Sequence, residues 1–185
     1  MRHRIYRRTH QSQNTPGEAH YLTFSCFQKR DFLSRDRTRL YFIEALKRAR
    51  IFHKFDLWAY VIMSNHVHLL LFPRGTTYDM ADIESSLKLD VSRRALAYLR
   101  QHNPEGLRRL ATGQQHTPYR FWMSGNGYDV NISSYDAARE IAAYIHNNPV
   151  RAGICEDPEE WEWSSAREWA EEGSGHLRID RDSLL

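Results

Sequence analysis

Long apolar runs are missing from this chain of 185 residues. The stretch from Val67 to Phe72 falls far short of the roughly 18 apolar residues that read as a membrane-spanning helix. The first 20 residues are polar and basic and lack the apolar core of an export signal. The chain is therefore expected in the cytoplasm, without a membrane partner. Cysteine is scarce: Cys26 and Cys155 are far apart and neither belongs to a CxxC pair, which excludes a cysteine zinc knuckle and a disulfide framework. Both are expected as buried or free thiols. Internal repeats and low-complexity tracts are also absent, leaving one domain around one core as the expected organisation.

Acidic residues are sparse in the front of the chain and crowded at its end. Residues 1–54 hold 13 Lys/Arg against 4 Asp/Glu, whereas residues 155–185 hold 3 against 10. A basic front is what a phosphate-binding surface requires, because counterions released from a nucleic-acid backbone drive association. The acidic end is either solvated or laid across the basic surface. The sequence divides into a flexible basic segment at 1–18, a catalytic domain at 19–154 and an acidic tail at 155–185, with about the last dozen residues expected to be disordered.

Within the folded part, Tyr21 to Phe27 reads as a strand, and the spacing of Leu40, Ile43, Leu46, Lys47 and Arg50 predicts a helix over 37–52. Phe55 to Met63 and Val67 to Phe72, broken by Ser64-Asn65, predict a hairpin with His66 opening its second strand. A helix is predicted from Asp79 to Gln101, stopped by Asn103-Pro104-Glu105-Gly106. Tyr119 to Met123 reads as a short strand and Gly125-Asn126-Gly127 as a turn. A last helix runs from Ser133 to about Asn147, with Ser133 and Asp136 spaced as a capping box and Pro149 closing it. The order β-α-β-β-α-β-α suits an α+β fold, an antiparallel sheet with helices packed mainly on one face.

Two segments carry groups capable of chemistry. In His66-Val67-His68, residues i and i+2 of a strand share a face and bring two imidazoles near one cation, while Val67, Leu69 and Leu71 face a core. An HxH pair beside apolar residues is also a common structural feature. In Tyr144-Ile145-His146-Asn147-Asn148-Pro149, Tyr144 and Asn148 are four apart and share one helix face. Ala138, Ile141, Ala142 and Ile145 form the buried stripe, which leaves Tyr144 at its edge and points His146 to solvent. The plain alternative is an amphipathic helix with a boundary tyrosine. Two neutral imidazoles and an amide oxygen bring no charge to a metal, so phosphate oxygens would balance it, a pattern suited to Mg²⁺ or Mn²⁺ arriving with substrate.

Taken with Tyr21 to Phe24, Ala59 to Leu70, Phe121-Trp122 to Tyr128-Asp129, Tyr144 to Gly153 and Trp161 to Ser165, these segments resemble the IS200-like Y1 transposases of the HUH endonuclease superfamily, and within them the REP-associated tyrosine transposases. The resemblance implies a ferredoxin-like fold, a divalent metal on His66 and His68 with Asn148 as third ligand, and Tyr144 as nucleophile. It implies cleavage and rejoining of single-stranded hairpin DNA through a 5′-phosphotyrosine link. Arg4, Arg7, Arg8, Lys29, Arg30, Arg93 and Arg94 are the expected DNA contacts by charge, and Trp122 or Tyr128 a stacking residue, with a core role open for Trp122. A nucleoid-associated monomer is expected, because in REP-associated relatives the C-terminal segment packs on the protein's own domain. Two other readings remain open: a hairpin-DNA-binding regulator without turnover, and a metal-dependent nuclease that uses water.

Overall fold

The computed structural model describes residues 13–184. Its sheet is built from β1 (Ala19–Ser25), β2 (Phe55–Ile62), β3 (His66–Pro73) and β4 (Tyr128–Ile132), all antiparallel and ordered β2-β3-β1-β4. This is the ferredoxin-like order, in which the β2–β3 hairpin inserts its second strand beside β1. The helices are α1 (Asp36–His53), α2 (Met80–His102), α3 (Pro104–Arg108), α4 (Tyr135–His146), α5 (Asn148–Arg151) and α6 (Ala166–Ala170). No helix among the described residues is long and apolar enough to cross a membrane.

Strand alternation sorts the side chains into two layers. Leu22, Phe24, Leu57, Tyr60, Ile62, Val67, Leu69 and Leu71 meet α1 and α2 in the larger core. Trp58, Ala59, Val61 and Leu70 face the other way and receive Ala138, Ala142 and Ile145 of α4. A register shift between Leu57 and Ala59 on β2 lets Trp58 and Ala59 both serve this second layer. The sheet face opposite α1 and α2 is thus only partly roofed, and α4 lies at one side of an opening.

Three local expectations change. Tyr119–Met123 is not a strand: its backbone makes only isolated bridges, Ala111 with Tyr119 and Cys26 with Trp122, because Phe121 and Trp122 sink into the larger core. The fourth strand is Tyr128–Ile132, whose Tyr-Asp-Val-Asn-Ile alternation has the strand period of two. Gly127 lets it leave the turn, since a Cβ there would meet Thr23 O at 2.5 Å. The cap of α4 is Ser134, whose side chain accepts from Ala137 N at 3.2 Å, one residue later than the spacing of Ser133 suggests.

Both ends of the described chain are held. Residues 13–15 fall in the segment expected to be flexible, yet Asn131 bonds Gln13 twice and Thr15 O accepts from Tyr78 Oη at 2.8 Å. The last dozen residues are not loose either: Leu177, Ile179 and Leu184 are buried. The segment from Trp161 onward covers the outer edge of β2. Ile62 N donates to Trp163 O, Ser165 N to Tyr60 O, Asp180 N to Leu57 O, and Leu57 N to Asp180 Oδ2. Sheet edges present unpaired backbone groups, and here the chain satisfies its own. The acidic tail does meet basic side chains, Arg50 and Arg74 at Asp180, but at this edge and not across the histidine face. Both cysteines are free.

Candidate active site

His66 and His68 project from β3 onto the α4 side of the sheet, with ring centroids 4.8 Å apart, while Val67, Leu69 and Leu71 point into the larger core. The pairing of β3 with β1 sets His68 opposite Thr23 and His66 opposite Ser25. Tyr21, two residues before Thr23, reaches diagonally across the strand pair, and its Oη lies 2.7 Å from His68 Nδ1. His66 Nδ1 lies 2.6 Å from Asn65 Oδ1, and Asn65 Nδ2 in turn donates to Lys29 O at 3.2 Å. Each imidazole therefore has its Nδ1 occupied by a neighbouring polar group, which orients its Nε2. His68 Nε2 is buried and has no hydrogen-bond partner among the described residues, a cost that a ligand there would remove.

Both rings are held neutral. Burial, then the neighbouring His66 and Arg151, bring the pKa of His68 down to about 3, and burial followed by Lys29 lowers that of His66. A neutral imidazole is the metal-binding form. Among the described residues no three His, Cys, Asp or Glu side chains converge as a metal site, so any third protein donor beside this pair must be of another kind.

α4 brings Tyr144 to the same opening. Its ring stands perpendicular to His68 at 6.1 Å and to Tyr21 at 6.2 Å, and the side chain is 37% exposed. Helical backbone continues through Asn147 at φ −79°, ψ −2° into α5, so Asn148 stays one turn beyond Tyr144 in spite of the following proline. Asn148 Nδ2 donates to Tyr144 O and Ile145 O at 2.9 and 3.3 Å. The Arg151 guanidinium lies over the Tyr144 ring, 4.8 Å from its centroid.

The chain shares its fold with a REP-associated tyrosine transposase. That transposase, solved bound to a REP hairpin, superposes with a TM-score of 0.66 at 16% identity, over 89% of this chain and 87% of its own. A provisionally assigned transposase from Deinococcus radiodurans R1 gives a TM-score of 0.47 at 18% identity, over 75% of this chain and 97% of its own. No family model and no curated sequence matches the chain.

Within this fold the expected residues separate into groups. His66, His68 and Tyr144 come together on the α4 side of the sheet, and Asn148 lies one helical turn beyond Tyr144, its amide bonded back to the helix. Lys29 is exposed beside His66. Arg30 donates to Arg109 O, and Arg93 and Arg94 lie on α2, across the sheet from the histidines. Arg4, Arg7 and Arg8 lie outside the described residues. Trp122 is a core residue, edge-on to Phe24 with its indole N–H bonded to Lys88 O. Tyr128 stands edge-on to Tyr21 at 6.3 Å, beside the site. His146 is buried, not solvent-facing: its Nε2 lies 2.8 Å from Ser165 Oγ and its ring packs on Trp169, because the tail covers that side of α4.

Two site residues escape the sequence reading. Tyr21 looks like one more aromatic of a strand, and only the register with His68 reveals its use. Arg151 follows Tyr144 by seven residues, two helical turns, which is a readable signal once α5 is known to continue α4.

Proposed function

We propose that this protein cuts and rejoins single-stranded DNA with Tyr144 as the nucleophile. The observation that carries the reading is the placement of an exposed tyrosine beside two neutral, oriented imidazoles, one of which has a buried and unpartnered Nε2. A divalent cation, Mg²⁺ or Mn²⁺, fits this donor set, with His66, His68 and Asn148 to hold it. Such an ion would polarise the scissile phosphate.

The chain's own residues account for the remainder. Asn65 and Tyr21 fix the two rings. Lys29 and Arg151 supply positive charge on either side, and Arg151 orients the phenol ring beneath it. Attack forms an Oη–P bond and breaks the P–O3′ bond, leaving a 5′-phosphotyrosine and a 3′-hydroxyl that takes up the proton given by the phenol. Because the phosphodiester energy is kept in the covalent link, the 3′-hydroxyl can reverse the step on the same or another strand. The protein sharing this fold was solved on a hairpin, so hairpin DNA is the substrate to test. The covered β2 edge supports action as a monomer.

The decisive experiment incubates the full chain with 3′-end-labelled single-stranded hairpin DNA from the flanks of its own gene and Mn²⁺, followed by a denaturing protein gel. Label at protein mass that vanishes in Tyr144→Phe is expected. Cleavage without labelled protein would instead mean hydrolysis by water, and binding without cleavage would mean a regulator.

A further inference from the structure

We propose that the groove between the start of α1, the C-terminal half of α2 and α3 is a second DNA site, gripping the backbone of a single strand that runs away from the nucleophile. This rests on the reading that single-stranded DNA is the substrate. The groove is about 360 Å³ and is framed by Arg35, Arg37, Arg109, Tyr41, Tyr98 and Asn103.

Its lining gathers three arginines, Arg35, Arg37 and Arg109, in one place. Six arginines outside it, Arg39, Arg48, Arg50, Arg74, Arg139 and Arg178, each pair with a carboxylate. Among the described residues none of the three groove arginines, Arg35, Arg37 and Arg109, has such a partner. Asp31, the one carboxylate lining the groove, accepts from Ser64 Oγ at 2.8 Å and offsets only part of the charge of the three arginines, and Asp36 nearby is engaged by Arg39 at 3.1 Å. Like charges gathered on one wall repel, and a polyanion relieves that repulsion.

The guanidinium groups are also posed for phosphate. Arg37 lies on the Tyr98 ring at 3.5 Å from its centroid and Arg94 on Tyr41 at 4.2 Å. Stacking fixes a guanidinium plane while leaving its in-plane N–H groups for bidentate contacts. Basic side chains interleaved with aromatic rings suit a single strand, whose unpaired bases stack while its phosphates are held.

The groove is mechanically joined to the histidine strand. Leu33 N donates to Ser64 O at 2.8 Å and Asn65 Nδ2 to Lys29 O at 3.2 Å, so the loop that opens onto the groove is bonded to the turn from which His66 departs. Lys29 and Arg30 mark the path between the two sites.

The test is the triple variant Arg35→Gln, Arg37→Gln, Arg109→Gln in the full chain. Its binding to a fluorescent hairpin oligonucleotide with single-stranded arms is measured by anisotropy across a salt series. We expect at least about tenfold weaker binding and a salt slope smaller by about two, at ~0.7 per single-strand phosphate contact. Arg139→Gln with Arg178→Gln should bind like the parent, and circular dichroism melting should show both variants folded. A folded triple variant with unchanged affinity and slope overturns the site, as does a parent chain that binds no DNA. The two ideas separate cleanly. A covalent adduct with an unaffected triple variant sinks the groove alone, whereas weakened binding without any adduct supports the groove and removes strand transfer.

Discussion

The hydroxyl of Tyr21 sits 2.7 Å from Nδ1 of His68, and the two rings lie parallel within 4° at 5.8 Å. Burial, the larger effect, and the neighbouring Tyr144 push the Tyr21 phenol well above its ordinary pKa, so it stays a neutral hydroxyl at any working pH. It is a fixed brace for the imidazole.

Tyr21→Phe should therefore leave the fold intact and weaken the cation. Loss of a partner that orients a histidine ligand typically costs 10- to 100-fold in metal affinity. The expected result is a cleavage rate that needs about tenfold more Mn²⁺ to saturate, with a nearly normal rate at saturation. A drop in rate that extra Mn²⁺ does not restore would show that Tyr21 does something other than brace His68.

Arg151→Gln should slow cleavage and leave hairpin binding nearly intact. The guanidinium packed over the Tyr144 ring fixes the position of the attacking phenol, and misplacing a reacting group in this way costs up to about 10²-fold. Single-turnover rates against anisotropy affinities separate this from a simple phosphate contact, which would weaken binding as well.

Acid should loosen the structure through His146. Burial lowers its pKa to about 4 in the fold, against an ordinary value near 6.5. The unfolded chain thus binds the extra proton first, so this histidine's contribution is complete above about pH 6.5 and is lost as pH falls from there toward 4. Between pH 7 and 5 the loss is roughly 2 kcal/mol. Melting of His146→Gln should show a shallower decline over that interval than the parent, and an unchanged decline would rule out this role.

Asp180→Ala should destabilise by about 2 kcal/mol, because it strips ion pairs from Arg50 and Arg74 and leaves Leu57 N without its acceptor. The companion expectation is concentration-dependent association, detected by sedimentation, as the freed β2 edge finds other strands. A variant that stays as stable as the parent would show that the buried Leu177, Ile179 and Leu184 hold the segment without it.

Much of the fold is legible in the residues, for identifiable reasons. The hairpin with its Ser64-Asn65 turn, the helix capped at Asp79 and the buried stripe of α4 rest on local periodicity and capping, which act within a few residues. The pairing of His66 with His68 follows from the same strand alternation. What stays hidden is set by distant partners. Trp122 is a core residue because Phe24 and Phe42 come to it, and His146 is buried because Ser165 and Trp169 cover it. The tail looks like a solvated acidic run because its apolar residues, Leu177, Ile179 and Leu184, are thinly spaced among charges. Only the edge of β2 gives them a reason to be ordered. Tyr21 and Arg151 belong to the site through register and helix continuation, neither of which shows as a motif.

The cover on β2 also imposes an order on biosynthesis. Tyr60 waits for Ser165, a partner 105 residues further along the chain, so the hairpin is translated long before its protecting strap exists. During that interval the outer strand is an adhesive surface on a nascent polypeptide. Ribosomes that stall or terminate early would release a sheet able to recruit its neighbours, and slow translation through the last part of the message should lower the soluble yield while leaving the finished protein unaffected.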